Sequence, residues 1–460
     1  MKPQNYVFVI LLAFIATNST PAQGTGFWEA IPGLDYTVDI IRSYGDDLLV
    51  GGLFDSAGGN ANARHIAKWN GTSWEALGTG INEWVTSVAV NGNDVYVGGL
   101  FDSAGGVINT DKIARWDGTN WNSVGGGLNF SVFTLLFENN KLFVGGSFRN
   151  AGGNGNADRI AIWNGTDWEA LDKGFNNSVF TIAINNGEIY AGGIFSAAGA
   201  DTNVKFISRW NADSLKWQPF GNGLNNSVHH IGFNNNELYV GGYFTDAGGD
   251  PNADCIAKWD GTSWEGLGPG LSGLFAEVEE FAFDGNDMYV VGQFDVVGDD
   301  SSFHNIAKWN GTNWEKIGIG VDQEVRSLVI HNNDLYIGGA FGSELPGGFD
   351  YLPYIAKRSN ITSILNDDLV NVPKNFLLHQ NYPNPFNPST KISWQSSAGS
   401  YQTLKIYDVL GNEIATLVDE YKSAGSYEVE FNAESLPSGI YLYRLSASGF
   451  VQSHKMLLLK

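Results

Sequence analysis

The chain has 460 residues, a formal net charge of −23 and a single cysteine, Cys255. This acidic balance argues against nucleic acid and against an anionic membrane surface as partners, because both repel a negatively charged protein. One cysteine excludes a disulfide framework, so the fold must be stabilised by packing.

The N-terminus has the pattern of a secretory signal peptide. Lys2 precedes an apolar run over residues 7–16, and small residues follow up to Ala22, where a signal peptidase would cleave. The run is too short to cross a bilayer, and no later segment approaches the roughly 20 apolar residues of a transmembrane helix. We predict a signal peptide at residues 1–22 and an exported chain without a transmembrane segment.

A phrase of about 47 residues then repeats seven times. The common phrase consists of a Gly-Gly-x-Phe step, a loop rich in Gly, Asn and Asp, an Ile-Ala-x-Trp strand and a second Trp. The phenylalanines of the step are spaced by 47, 47, 47, 49, 50 and 47 residues: Phe54, Phe101, Phe148, Phe195, Phe244, Phe294 and Phe341. A period of this length indicates a repeat architecture.

Each repeat predicts four short strands, as at residues 85–90, 95–98, 112–116 and 121–124. The third and fourth strands are joined by Asn-Gly or Asp-Gly, which favours a type I′ hairpin turn. Four antiparallel strands repeated radially form the blade of a β-propeller. Residues 27–31 copy residues 73–77 without the three strands before them, so this N-terminal strand is expected to complete the seventh blade. We predict a seven-bladed β-propeller over residues 23–365.

Two recurrent elements of the repeat have a structural interpretation. The six Trp pairs, from Trp69/Trp74 to Trp309/Trp314, have the spacing expected for packing between blades rather than for a binding platform. The tandem glycines, as at Gly51-Gly52, predict a β-bulge or a close backbone approach that a Cβ would block. No helix follows them, so they do not form a phosphate-binding loop.

Together these phrases resemble kelch-type and galactose-oxidase-like propellers, and more closely the Rax2-like repeats of surface proteins, over residues 24–365. The resemblance implies architecture and not activity. A copper radical site would need a Tyr–Cys crosslink and paired His ligands, which the position of Cys255 does not support.

Catalytic chemistry is hard to find in the sequence. The seven histidines show no metal-ligand spacing, and His229 and His230 should point to opposite faces of a strand, so they cannot share one metal. Glu277, Glu279 and Glu280 could perform acid–base work, but the carboxyl separation that glycosidases need is a three-dimensional property. We interpret the chain as more consistent with a non-enzyme.

The predicted topology brings all long loops to one face of the propeller, where binding is usual. Aromatic residues in the blade-to-blade connections of this face are candidate ligand contacts: Trp84, Phe130 and Phe275. The carboxylates of Asp246, Asp250 and Asp254 suit calcium, and equally suit Asx turns with solvated acids. No other cofactor is predicted.

The repeat stops before a linker at residues 366–375 and a second domain at 376–460. Alternating strands with turn signals predict an immunoglobulin-like β-sandwich there. The motifs of this domain resemble the type A sorting domain of type IX secretion substrates, and they include Asn381, Tyr382, Pro383, Asn384, Pro385, Phe386, Asn387, Pro388, Lys455 and Lys460. The resemblance implies export to the periplasm, recognition by the type IX machinery, and release or attachment at the cell surface.

Three functions remain open for the propeller. The first is a secreted or cell-surface binding or adhesion module for glycan or protein, because the chain offers loops on a scaffold and no catalytic motif. The second is an extracellular polysaccharide hydrolase or lyase, which would need clustered carboxylates or histidines on the loop face. The third is a passive component of a surface layer.

Overall fold

The computed structural model describes most of the chain and consists almost entirely of β-strands. The described ranges are residues 28–221, 223–250, 252–318, 320–342, 352–359, 376–396, 400–422, 425–447 and 450–460. The predicted signal peptide and the predicted linker lie outside these ranges. The helical element in the described residues is a single 3-10 turn at Ala151–Gly153, so the all-β prediction is confirmed.

The described residues before 360 form seven four-stranded antiparallel sheets, called blades 1 to 7 below. The strands of blades 1 to 4, preceded by the N-terminal strand, are β1 (Glu29–Ala30), β2 (Val38–Tyr44), β3 (Asp47–Gly52), β4 (Ile66–Trp69), β5 (Trp74–Ala76), β6 (Val85–Asn91), β7 (Asp94–Gly99), β8 (Ile113–Trp116), β9 (Trp121–Ser123), β10 (Val132–Glu138), β11 (Lys141–Gly146), β12 (Ile160–Trp163), β13 (Trp168–Ala170), β14 (Val179–Asn185), β15 (Glu188–Gly193), β16 (Ile207–Asn211) and β17 (Lys216–Gln218). Those of blades 5 to 7, with the short pair β22 and β25, are β18 (Val228–Asn234), β19 (Glu237–Gly242), β20 (Ile256–Trp259), β21 (Trp264–Gly266), β22 (Leu271–Ser272), β23 (Glu277–Asp284), β24 (Asp287–Gln293), β25 (Val296–Val297), β26 (Ile306–Trp309), β27 (Trp314–Lys316), β28 (Val325–His331), β29 (Asp334–Gly339) and β30 (Ile355–Arg358).

The blades are arranged in a closed ring. The first strand of each blade contacts the first strand of the next, and β28 of blade 7 contacts β2 of blade 1. The outer strand of blade 7 is β1, with Glu29 opposite Lys357 and Ala30 opposite Ala356. The two ends of the repeat region therefore share one sheet, which leaves no blade with a missing strand.

The tandem glycines mark both a bulge and a close approach, as predicted. The register of blade 1 shifts between Val38 and Ile40, and a Cβ on Gly52 would lie 2.1 Å from the carbonyl oxygen of Thr37 in the same blade. A Cβ on Gly51 would lie 2.6 Å from Cγ1 of Val85 in blade 2. The first glycine therefore accommodates the valine of the following blade.

The Trp pairs pack between blades, also as predicted. The rings of Trp116 and Trp121 lie 5.4 Å apart between centroids, and the Trp121 indole N–H donates to the Leu77 carbonyl of the preceding blade at 3.0 Å. Five second tryptophans make this type of interblade bond: Trp74, Trp121, Trp168, Trp217 and Trp314.

The predicted position of the type I′ turns is wrong. Between the third and fourth strands only the glycine has positive φ, as at Gly71, and Asn70 instead accepts hydrogen bonds from the backbone N–H groups of Thr72 and Ser73. This closes a four-residue loop between Trp69 and Trp74. Paired positive φ angles occur between the first and second strands, as at Asn139-Asn140, because those hairpins have two-residue loops.

An ionic network joins blades 6, 7 and 1, with Glu280 buried and the Arg42 side chain 35% exposed. Glu280 Oε2 accepts hydrogen bonds from the Ser327 hydroxyl at 2.7 Å and from the Leu328 N–H at 3.0 Å, and Oε1 pairs with Arg42 at 2.9 Å. The Ser327 oxygen in turn accepts the N–H of Ile41 at 3.0 Å. These bonds cross the closure of the ring.

The C-terminal domain has two antiparallel sheets around one core. Its strands are β31 (Leu377–Leu378), β32 (Ser389–Ser396), β33 (Ser400–Tyr407), β34 (Glu413–Lys422), β35 (Gly425–Asn432), β36 (Gly439–Ala447) and β37 (Phe450–Leu458). The sheet orders are β31-β32-β35 and β34-β33-β36-β37. Buried side chains of both sheets, among them Trp394 and Tyr443, form one cluster. The more specific immunoglobulin-like assignment stays a prediction.

Gly146→Ala should lower the stability of the full chain by about 1–3 kcal/mol, because the new Cβ overpacks the bulge. That Cβ would lie 2.2 Å from the Ser131 carbonyl oxygen, which only a backbone shift can relieve. Urea unfolding followed by tryptophan fluorescence measures the effect. Gly155→Ala in the same blade is the control, since its Cβ would have nothing nearer than 3.8 Å. Equal midpoints for the two variants would contradict the overpacking argument.

Glu280→Ala should cost about 3–5 kcal/mol, because it leaves Arg42 without its buried partner and the Leu328 N–H without an acceptor. The midpoint of urea unfolding measures this loss. Glu265→Ala removes an exposed carboxylate 3.9 Å from Lys258 and should change stability by about 1 kcal/mol or less. A Glu280 variant as stable as the Glu265 variant would show that the network does not hold the ring closed.

Candidate functional site

The candidate site is a ring of seven side chains, one from each blade, at the loop-face end of the central channel. All seven line a cavity of about 490 Å³ along with deeper residues of the same inner strands. The ring consists of Asp39, Thr86, Phe133, Phe180, His229, Glu279 and Arg326. It is therefore built by the scaffold itself and not by a single loop.

The repeat explains why these side chains face the channel. Each follows a fully buried valine, such as Val85 or Val228, near the start of the inner strand. Because side chains alternate along a strand, a residue next to a valine that packs between blades faces the axis. This position is free to vary, since the interblade packing does not involve it.

One side of the ring contains a compensated ion pair. Arg326 donates to Asp39 Oδ1 at 2.7 Å and to Glu324 Oε2 at 3.0 Å. Burial raises the pKa of the Asp39 carboxyl, and the positive charge of Arg326 opposes that rise. The single positive charge of Arg326 is thus shared by the two carboxylates.

Blades 5 and 6 bring an imidazole and two carboxylates together. His229 Nδ1 lies 3.5 Å from Glu279 Oε1 and 3.9 Å from Glu277 Oε2. His229 Nε2 is hydrogen-bonded to the Ser227 hydroxyl at 3.0 Å. Nδ1 is buried and has no hydrogen bond among the described protein groups. One nitrogen is therefore held by the protein, and the other faces the acids.

The side chains of this cluster lie close enough together to shift the pKa values of Glu277 and His229. Burial, and then the negative charge of Glu279, raise the pKa of Glu277 to about 7. Burial alone would lower the pKa of His229, but the carboxylates of Glu279 and Glu277 outweigh it and raise that pKa. Both shifts favour the protonated forms of Glu277 and His229, which add positive charge to the cluster.

The opposite side of the ring is aromatic. The rings of Phe133 and Phe180 meet edge to face at 5.4 Å between centroids, and Phe180 meets His229 at 5.5 Å and 86°. All three are half-buried and border the cavity. The mouth therefore offers apolar ring faces beside hydrogen-bonding acids.

His229 and His230 have different surroundings. Both border the cavity, and the register of blade 5 shifts between Val228 and His230, so their orientation to opposite faces of the strand stays a prediction. His230 packs on Phe281 at 4.6 Å, and burial lowers its pKa to about 4. His230 lies outside the acidic cluster, which contains only His229 of the two histidines.

The three aromatic candidates lie on different blades. Trp84 is half-buried beside the ring, and its indole helps to lower the pKa of Asp39. Phe130 and Phe275 remain exposed by 56% and 63% in their connections. Isolated bridges pair several of the blade-to-blade connections with the loop between second and third strands, for example Ile81 with Ala104.

The three aspartates predicted as calcium ligands are engaged in loop structure. Asp250 accepts the backbone N–H groups of Asn252 and Gly266, and Asp246 accepts that of Gly249. Burial raises the pKa of Asp254. Within the described ranges, the group of three or more ligand atoms within 4.8 Å of one another is His229, Glu277 and Glu279. Calcium binding by the aspartates stays a prediction.

The sorting motif is bound to the last strand of the chain. Asn384 Oδ1 accepts the Leu457 N–H, and the buried Phe386 donates its N–H to the Leu457 carbonyl. The Asn381 N–H donates to the Tyr443 hydroxyl, and Lys455 accepts a bond from Gln380. The other motif residues are placed in the same segments: Tyr382, Pro383, Pro385, Asn387, Pro388 and Lys460.

The ring was not predicted from the sequence, although the aligned repeats contain a pattern that points to it. When the seven repeats are aligned on the buried valine of the inner strand, the seven ring residues fall at one aligned position. The residue type varies at that position, while the residue pattern on either side of it does not. The sequence does not show that Glu279 and His229 are neighbours, because no local spacing connects residues on different blades.

No helix in the described residues combines the length and apolarity needed to cross a membrane. Residues 380–459 match the family of secretion system C-terminal sorting domains, and residues 163–330 match the Rax2 C-terminal beta propeller domain. No curated protein matches the sequence significantly.

Two solved structures show a low similarity to the chain. One is PorZ, an essential bacterial surface component of the type-IX secretion system of Porphyromonas gingivalis, at 14% identity and a TM-score of 0.42 over 93% of this chain and 60% of that chain. The other is a glycoside hydrolase family 43 arabinoxylan arabinofuranohydrolase from Bacillus subtilis, at 11% identity and a TM-score of 0.25 over 93% and 97%. The present chain thus spans 60% of PorZ. The match over residues 380–459 indicates a secreted or cell-surface protein, and its repeat region is similar to the Rax2 C-terminal beta propeller domain over residues 163–330.

Proposed function

We propose that the propeller is an extracellular binding module and that its ligand is a glycan bound at the channel mouth. The observation that carries this proposal is the ring itself, which places the aromatic Phe133 and Phe180 and the acidic Glu279 around one cavity. Concave sites with apolar walls and a few convergent polar groups are the usual seats of small ligands.

The chemistry of the ring suits a neutral or cationic sugar. The C–H face of a sugar packs on an aromatic ring, and its hydroxyl groups donate to carboxylates. The net charge of −23 disfavours a polyanionic glycan, because the whole protein repels it. Exposed apolar side chains around the mouth, including Phe130, Leu274 and Phe275, could extend the contact toward a longer chain or a surface protein.

Phe180→Ala should weaken glycan binding about ten-fold, equivalent to roughly 1.4 kcal/mol, because it removes one stacking face. A glycan array with the full chain identifies the ligand, and titration calorimetry measures the affinity of each variant. Tyr401→Ala is the matched control, since that ring is exposed in the C-terminal domain. Phe130→Ala tests the loops, because that exposed ring is not among the residues that line the cavity. Loss in Phe130→Ala with retention in Phe180→Ala would place binding on the loops, and no binding to any glycan would refute the proposal.

A polysaccharide hydrolase or lyase is the second candidate function. It is favoured by the carboxylates of Glu277 and Glu279, which have oxygens within 4.8 Å of each other, with Glu279 lining the cavity. Incubation of the full chain with the glycans that bind, followed by a reducing-end assay, tests it. New reducing ends that disappear in Glu279→Gln would support an enzyme, and unchanged glycans would exclude one for those substrates.

A further inference from the structure

We infer that His229, Glu277 and Glu279 bind one divalent transition-metal cation, of the class of Zn²⁺, at the channel mouth. The three ligand atoms lie within 4.8 Å of one another at the junction of blades 5 and 6. The inference stands apart from the proposed function, because it concerns the metal alone and is tested without a glycan.

The distances suit a small cation. Zinc binds imidazole nitrogen and carboxylate oxygen at about 2.1 Å, so two tetrahedral ligands are about 3.4 Å apart. The separations of 3.5 Å and 3.9 Å between Nδ1 and the two carboxylates are close to that value. Small side-chain adjustments would bring all three atoms to one ion.

The hydrogen bonding prepares the imidazole as a ligand. Ser227 holds Nε2 at 3.0 Å, which fixes the ring and leaves Nδ1 facing the acids. Metal-bound histidines commonly have their second nitrogen fixed in this way. The buried Nδ1 has no other hydrogen bond in the described structure, so a cation would satisfy it.

The charge balance points to the same place. Arg326 pairs with Asp39 and Glu324, and Arg42 pairs with Glu280. In the part of the chain that the structure describes, no lysine or arginine lies within 4.0 Å of the Glu277 or Glu279 carboxylates. Among the described basic side chains, His229 is the one that approaches these two acids within 4.0 Å, and a dication would add positive charge beside both.

The ligand set favours a transition metal over calcium. Calcium takes six to eight oxygen ligands, whereas an imidazole with two carboxylates is a set used for zinc and similar ions. The remaining coordination positions would face the cavity. The cation would therefore be accessible from the loop face.

The test is calorimetric titration of Zn²⁺ into the full chain, purified without an affinity tag and stripped with a chelator. We expect one Zn²⁺ per chain, and His229→Gln and Glu279→Gln should each weaken binding at least ten-fold. Asp254→Asn is the matched control on the loop face and should leave the affinity unchanged. Circular dichroism verifies that each variant is folded.

A second readout identifies the ligands directly. Co²⁺ in place of Zn²⁺ should give visible ligand-field absorption that changes in His229→Gln, because the nitrogen ligand is lost. Absence of saturable Zn²⁺ binding, or equal binding by both folded ligand variants, would overturn the inference. So would tighter binding of Ca²⁺ than of Zn²⁺ that is lost in Asp254→Asn.

Discussion

The architecture depends on the contact between a glycine of one blade and a valine of the next. A Cβ at the first glycine would lie between 2.4 and 2.8 Å from the neighbouring valine Cγ1, as at Gly98 with Val132 and Gly338 with Val38. The contact lets inner strands approach closely, and its repetition around the ring sets the distance of every blade from the axis. Blade 6 departs from it, because Val291 replaces the glycine. That blade instead contributes Glu280, whose bonds to blade 7 and to Arg42 reinforce the junction.

The same contact creates the site. Once the valine is fixed between blades, the residue after it must face the axis, so the fold presents seven radial positions that packing does not restrict. The propeller can therefore carry Phe133, Glu279 or Arg326 at equivalent positions without a change in the backbone. The residues that determine the fold differ from those that line the site, so repeats with the same backbone can carry different side chains at the site.

The sequence was sufficient for the parts of the molecule that depend on local pattern. The period, the bulge at Gly51-Gly52 and the Trp pairs follow from spacing and residue type within one repeat. The type I′ assignment failed because Asn70 closes its loop with its own side chain, an alternative that the dipeptide does not distinguish. The His229 cluster could not be derived locally, because it needs the relative register of two blades, and the strand register also shifts between Val228 and His230.

The acidic cluster lies at the junction of blades 5 and 6. Interblade packing at this junction includes Val278 against Gly241 and Phe281 against Gly232. Two carboxylates at a half-buried wall cost desolvation and repel each other, and burial together with the charge of Glu279 raises the pKa of Glu277. Elsewhere in the wall the chain places Arg326 beside Asp39 and Glu324, and Arg42 beside Glu280. At blades 5 and 6 it has an imidazole with one nitrogen already held by Ser227, which is an arrangement for receiving a cation rather than for stabilising the ring.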